Sequence, residues 1–436
     1  MKQLKSIICF EAGSGEQPPW RCSLDEIGND IDLLRSLDQE RLIELVVSEN
    51  AVTIAGRDRV GLAILPSGRR LIIRTKIPSV AILDWLIFLG EIPGLETWLQ
   101  ESGVTSGEDF HICISKLFLL ELESLTRLHL RKDYVVESME GLVVRGRIQM
   151  KDFACSVHRL PRLPLVHRCR TLDTPFNAVL ALALDRLRHF FFDFPPQVRT
   201  RFSALRDQWT SIRREIKDPV TAVTEAQWAC PSGYRNALQL ARLILLGLSL
   251  DPNSRMGGQA FTISLALIWE RSLRQMFTNF SSQTGWFSVA DEMRTRMWDD
   301  SYGKKDPNRW LSADIIVEKP NRRWVLDAKY KRAFGTESRA DRFQMCAYAV
   351  AFDADRVTLI YPTAKADTFG LKRLLRTSVG AKEVIVDSLE LPMSQGPQAC
   401  LNALIRVCEN VDGAAPVDQL DVNRSSSTCY AKLSTA

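Results

Sequence analysis

The chain has 436 residues, 45% of them apolar and 25% charged, with a formal net charge of +5. Those proportions exclude a disordered or fibrous chain, and the length calls for two or three domains. No apolar run reaches the ~18–20 residues of a membrane span. The mild positive charge suits a nucleic-acid face without demanding one.

Ten cysteines are scattered without a C-x-x-C pair, and the opening MKQLKSIICFEAGSGE has no long apolar core. Both features predict a reduced, cytoplasmic protein. The five histidines are not read as clustering with cysteines, so no zinc site is expected.

Leu33, Leu34, Leu37, Leu42 and Leu45 predict a helix over 31–47. Short strands follow at 51–55, 60–65 and 70–75, separated by Gly56-Arg57-Asp58 and Pro66-Ser67-Gly68. Pro78 breaks the chain before a helix at 81–89. Residues 1–110 therefore read as a small β-rich domain, either structural or a docking module for a partner.

Residues 111–256 read as mainly helical, beginning with Leu117, Leu119, Leu122 and Leu125 in a helix over 110–131. A strand at 140–148 carries Arg145-Gly146-Arg147. The arginines could grip phosphates or a partner's carboxylates, or they could be surface residues. Thr174 and Pro175 are N-cap and first residue of a helix over 178–192, which explains Asp173 and Asn177 without any chemistry. Further helices are expected over 198–216 and 234–250. Their arginines could mark a solvated face or a DNA face.

Residues 257–412 carry the chemistry. Gly257-Gly258 opens a predicted helix over 261–280 with Glu270 inside it. An unpaired buried carboxylate is costly, so Glu270 either faces solvent or aims into a site. An extended stretch over 286–298 turns at 299–303 into a basic loop, 304–309. Next comes LSADIIVEKPNRRWVLDAKYK, residues 311–331, which reads as two strands around a Pro320-Asn321 turn. A turn centred there pairs Val317 with Trp324 and Asp314 with Asp327. Opposed Cβ atoms lie roughly 4.5–5.5 Å apart, so the two carboxylates repel unless a cation sits between them. Oxygen-only ligands select a Mg²⁺-type ion. Lys329 shares the face of Asp327 and could hold a phosphate or help form a hydroxide. The plain alternative is a solvent-facing strand of mixed charge. A helix over 338–352 follows, with Gln344 and Tyr348 on one face, and then a strand at 357–361. A strand over 383–391 and a helix over 399–409 are expected next. Residues 413–436, rich in Gly, Ala, Pro, Ser and Thr, are expected to be disordered.

Asp314 followed by Asp327-Ala328-Lys329 resembles the PD-(D/E)XK nuclease signature, with Ala313 where a proline is usual. The order helix, strand, strand, strand, helix, strand is the αβββαβ core, on a mixed sheet, of that α/β fold. Gln344-x-x-x-Tyr348 resembles its RecB-type subset. From about Ile43 to Pro362 the chain resembles the McrC-like nuclease subunits of McrBC-type, 5-methylcytosine-dependent restriction systems. The ordered pieces are Arg70–Ile77, Arg145-Gly146-Arg147-Ile148, Asp173-Thr174-Pro175-x-Asn177, Trp269-Glu270, Leu326–Tyr330 and Tyr361-Pro362. Lys76-Ile77 departs from the pattern where the family has a proline.

The resemblance implies a DNA endonuclease subunit of a modification-dependent system, whose C-terminal nuclease domain follows a small β-rich domain and a helical region. It implies Mg²⁺ held by Asp314, Asp327 and Glu270, with Lys329 and Gln344 catalytic and Tyr348 in support. It also implies two partners, double-stranded DNA and an AAA+ GTPase docked on the N-terminal half. The chain itself has no G-x-x-x-x-G-K-[ST] loop. Two other readings stay open: a non-cleaving subunit that stimulates an NTPase, and a stand-alone DNA repair nuclease.

Overall fold

Short apolar runs punctuated by Gly and Pro set the first part of the fold. The computed structural model describes residues 6–11, 19–92, 104, 107–156, 162–212, 215–246, 260–289, 294–296, 310–330, 338–363, 370–379 and 382–412. The turn at 299–303, the basic loop 304–309 and the tail 413–436 lie outside these residues. Two compact units divide the chain, Met1–Leu265 and Ala266–Ala436.

In the first unit, β1 (Ile7–Phe10), β2 (Trp20–Ser23), β3 (Ile43–Val47), β4 (Ala51–Gly56), β5 (Arg59–Ile64) and β6 (Arg70–Arg74) supply two small sheets. Both sheets feed one core containing Ile7, Leu34, Leu37, Ile43, Ile54, Leu71 and Ile73. The helix expected over 31–47 stops at Gln39. Arg41 takes a left-handed φ of 58°, and Ile43–Val47 pair with β4 instead. β-branched Ile43, Val46 and Val47 suit a ladder, and that overrides the leucine spacing.

Helices Ser79–Phe88, Phe110–Arg127, Pro175–Leu187, Pro196–Trp209, Pro219–Trp228 and Arg235–Leu246 fill most of the remainder. Thr174 caps its helix by accepting the Asn177 N–H at 3.2 Å, and Pro175 occupies the first turn. The Asn177 amide donates to the Arg131 and Leu172 carbonyls at 3.0 and 2.9 Å. Both residues therefore serve the fold. The helix expected over 198–216 ends at Trp209. A separate one follows Asp218, which caps it by accepting the Val220 and Thr221 N–H groups.

Among the helices lies an antiparallel ribbon of β7 (Asp133–Gly141), β8 (Arg147–Ile148) and β9 (Leu163–Thr171). Gly146, at φ 83°, brings the backbone against β9. A Cβ there would lie 2.3 Å from the Val166 carbonyl oxygen and 2.6 Å from the His167 Cβ. The glycine between Arg145 and Arg147 thus serves a close approach within the ribbon.

β10 (Ala260–Ser264) pairs antiparallel with β5 and completes the order β1-β6-β5-β10. The helix expected over 261–280 begins only at Leu265. Thr262 and Ile263 are β-branched, and an open strand edge was available to them.

The second unit follows with the rest of the helix Leu265–Asn279. Then come β11 (Phe287–Ser288), β12 (Arg294–Arg296), β13 (Trp310–Ser312), β14 (Ile315–Lys319), β15 (Arg322–Ala328), the helix Arg339–Ala351 and β16 (Arg356–Pro362). β17 (Gly370–Val379), β18 (Lys382–Leu391) and the helix Pro397–Asp412 close the unit. The six-stranded sheet runs β11-β14-β15-β16-β18-β17. Its middle is parallel (β15-β16-β18) and its flanks antiparallel, so the sheet is mixed. All seven residues of β16 are buried, as a strand covered on both faces requires.

Met345, Tyr348, Ala349 and Phe352 pack the Arg339–Ala351 helix onto Val325, Val357 and Val386. Trp324 faces the other way, edge-on to Phe277 at 6.1 Å and to Trp286 at 5.3 Å. Its indole N–H donates to the Thr358 hydroxyl at 2.7 Å. β17 is an edge strand interrupted by Lys372, Arg373 and Arg376, so its sequence carries no clean alternation.

Candidate functional site

The turn at Pro320-Asn321 sets everything that follows. Asn321 takes φ 61°, and β14 and β15 pair as Ile315↔Leu326, Ile316↔Val325 and Val317↔Trp324. This is the register expected from the turn, and continued by one residue it sets Asp314 against Asp327. Asp314 sits at a bend just before β14. Its Oδ2 accepts the Ala328 N–H at 2.7 Å, which fixes the carboxylate at the end of β15. The parallel neighbour β16 holds that end in place, since the Lys329 N–H donates to the Ile360 carbonyl at 2.9 Å.

Asp327 is 2% exposed. The Lys329 ammonium lies 2.7 Å from its Oδ2. That oxygen nevertheless accepts no well-aligned hydrogen bond among the described residues. The Lys329 Nζ spends a hydrogen bond on Gln344 Oε1 at 3.0 Å instead. Gln344 Nε2 donates to the Tyr348 hydroxyl at 2.7 Å and reaches Asp327 Oδ1 at 3.4 Å. The Tyr348 hydroxyl lies 2.8 Å from the Ser312 carbonyl and 3.2 Å from Asp327 Oδ1. It has one proton, so it donates to one of these acceptors at a time.

The helix that brings Gln344 and Tyr348 begins at a capping box. Ser338 accepts the Asp341 N–H, and the Asp341 carboxylate accepts the Ser338 N–H. Four residues separate Gln344 from Tyr348, so both reach the sheet from one face.

Glu270 reaches the same cluster by a different route. Its carboxylate is about one-third exposed and pairs with Arg274 at 3.0 Å, one turn further along the helix. Arg274 also donates to the Asp314 main-chain carbonyl, from Nε at 3.2 Å and from Nη2 at 3.0 Å. Next to Glu270, the Trp269 indole N–H donates to the Ile360 carbonyl at 3.3 Å and anchors the helix against β16.

The electrostatics are those of crowded carboxylates. Burial first, and then the Asp327 carboxylate, push the Asp314 pKa from 3.8 up to about 7. Glu270 pushes the same way, while the Ala328 N–H and the Lys329 ammonium oppose it. Burial and Asp327 also raise the Tyr348 phenol, which therefore stays protonated.

Asp314, Asp327, Lys329 and Gln344, four of the five residues expected to be catalytic, thus lie in one cluster with Tyr348, and Glu270 is linked to it through Arg274. Sequence reasoning missed Arg274, which ties Glu270 to the Asp314 backbone. Its spacing of four from Glu270 on a helix was the available signal.

The oxygen donors fit a hard divalent cation. Asp314 and Asp327 offer carboxylates from neighbouring strand ends, and the buried Oδ2 of Asp327 lacks a well-aligned donor. Among the described residues no sulfur or imidazole belongs to this set, which suits a hard ion better than a soft one.

A family model for the McrBC 5-methylcytosine restriction system component matches residues 56–362. Among solved structures, a chain of the refined half-complex from the tetradecameric assembly of Thermococcus gammatolerans McrB AAA+ hexamers with bound McrC is similar in fold. It is 14% identical, with a TM-score of 0.61, over 93% of this chain and all of that one. A chain of the cryo-EM structure of the Thermococcus gammatolerans McrBC complex is 16% identical, with a TM-score of 0.40, over 61% of this chain and 85% of that one. No curated protein matches the chain.

Proposed function

The chain belongs to the family of McrBC 5-methylcytosine restriction system components, and we propose that it is the Mg²⁺-dependent endonuclease subunit of such a system. The observation that carries this reading is the Asp314–Asp327 juxtaposition. Two carboxylates share the end of one sheet, with Lys329 and Gln344 bonded to each other beside them. A helix, three strands of the six-stranded sheet (β11, β14 and β15) and a second helix follow one another in the order of the PD-(D/E)XK core, with the β12–β13 pair inserted between β11 and β14, which supports that fold for the second unit.

Asp314 and Asp327 would hold the ion, with Glu270 as a third carboxylate at the rim. When bound, Mg²⁺ polarises a phosphate and makes water a better nucleophile at neutral pH. Lys329 supplies positive charge where charge develops on the phosphate, and its Nζ can hold or give up a proton there. Gln344 keeps that ammonium aimed at the cluster and bridges it to Tyr348. Tyr348, protonated and anchored near the Ser312 carbonyl, keeps the Gln344 amide in place. Arg274 neutralises Glu270 until substrate arrives.

The substrate in this reading is double-stranded DNA in the cytoplasm. The partner is an AAA+ GTPase that supplies recognition and translocation. The ribbon of the first unit offers this partner apolar surface, with Tyr134, Val136, Leu142 and Val143 all more than half exposed. The full chain, with its partner GTPase, should linearise methylated plasmid in Mg²⁺. Asp327→Ala should abolish cleavage and leave partner binding and GTPase stimulation intact. Cleavage retained by that variant would sink the assignment.

A further inference from the structure

The ribbon of the first unit carries a second constellation of ligating side chains. Glu137 and His167 are directly paired across β7 and β9. Cys169 lies two residues along β9, on the same face. One donor atom from each of the three, a carboxylate oxygen, an imidazole nitrogen and the thiol sulfur, lies within 4.8 Å of the others. Histidine and cysteine therefore do cluster in this protein. His167 and Cys169 stand two apart on β9 and β7 brings Glu137 opposite them, which corrects the expectation that no such grouping exists.

Two further observations distinguish the trio from a chance surface grouping. His167 Nδ1 is buried and has no hydrogen-bond partner among the described residues. A neutral imidazole nitrogen in that condition is either a standing cost or a ligand in waiting. The backbone under His167 is also closely held, because Gly146 packs so tightly that a Cβ there would meet the His167 Cβ at 2.6 Å.

We propose that Glu137, His167 and Cys169 form a binding site for a divalent transition metal of the zinc class, which clips β7 to β9. Thiolate, imidazole and carboxylate together are the donor set of Zn²⁺ and are poor ligands for Mg²⁺. Three protein ligands leave a fourth position for water. On binding, the Cys169 thiol gives its proton to solvent and its sulfur takes the metal. The clip has a structural use. β7 is exposed along nearly all its length, and a few strands with little buried surface are marginal on their own. A metal bridging opposite strands holds the register of the ribbon without needing a core beneath it. This site is separate in residues and chemistry from the all-oxygen cluster around Asp327.

The test uses the full-length, untagged chain, stripped with chelator and titrated with Co²⁺. A thiolate-to-cobalt charge-transfer band should grow in and saturate at a single equivalent, and Zn²⁺ should displace it. Cys169→Ser should remove the band. His167→Gln and Glu137→Gln should each weaken Zn²⁺ binding by about tenfold or more. Zn²⁺ should raise the melting temperature of the wild type and leave that of Cys169→Ser unmoved. Asp327→Ala should keep the band, so loss of the proposed nuclease centre would not mimic loss of this site. Absence of the band in the wild type, or its survival in Cys169→Ser, would overturn the proposal.

Discussion

Asp314 holds its proton more tightly in the folded chain than an exposed carboxylate does. Burial and the nearby Asp327 raise its pKa from 3.8 to about 7. The folded state thus binds a proton that the unfolded state releases. The stability this contributes is fully present below about 3.8 and is lost as pH rises through about 7. Asp314→Asn keeps an oxygen for the Ala328 N–H and removes the charge. Without metal, this variant should melt above the wild type at pH 8, and the difference should vanish near pH 4. Equal melting temperatures for the two at pH 8 would contradict the repulsion. Neither Asp314 nor Asp327 announces its environment in the sequence. The turn at Pro320-Asn321 made their pairing legible, because register follows from turn position once strand period is fixed. The burial of Asp327 and the bond from Arg274 to the Asp314 carbonyl were not legible, since each depends on a helix contributed from elsewhere in the unit; only the spacing of Glu270 and Arg274 was.

At the scale of elements, the helix Arg339–Ala351 is the part on which the site leans most. It delivers Gln344 and Tyr348, and its start is fixed by the reciprocal bonds of Ser338 and Asp341. Ser338→Ala should cost about 1 kcal/mol of stability, read as a lower denaturation midpoint with unchanged slope. Elements with a strong local signal were readable from the chain alone: the hairpin, the capped helices and the Gly/Pro-bounded strands. Those that failed share a cause. Ile43–Val47 and Ala260–Ser264 sat inside helical patterns yet became strands, because unpaired sheet edges were there to receive them. A strand edge built by distant residues is invisible to any local window.

At the scale of the whole molecule, the net charge of +5 is modest, so DNA affinity in this reading rests on local arrays of Lys and Arg. Binding of duplex DNA should weaken linearly in log–log form as salt rises, with a slope of about −0.9 per phosphate neutralised. A salt-independent affinity, measured by anisotropy on a labelled duplex, would argue against a phosphate-tracking surface. By itself the sequence determined the hairpin register, the order of the acidic residues that meet at the candidate site and the family, because strand period, turn chemistry and residue order are local properties. Only the tertiary structure decided which side chains meet. It brought Gln344 and Tyr348 onto Asp327, tied Glu270 to Asp314 through Arg274, and gathered Glu137, His167 and Cys169 across two strands. Those meetings join residues far apart in the chain, and they exist only once burial and pairing have closed the intervening loops.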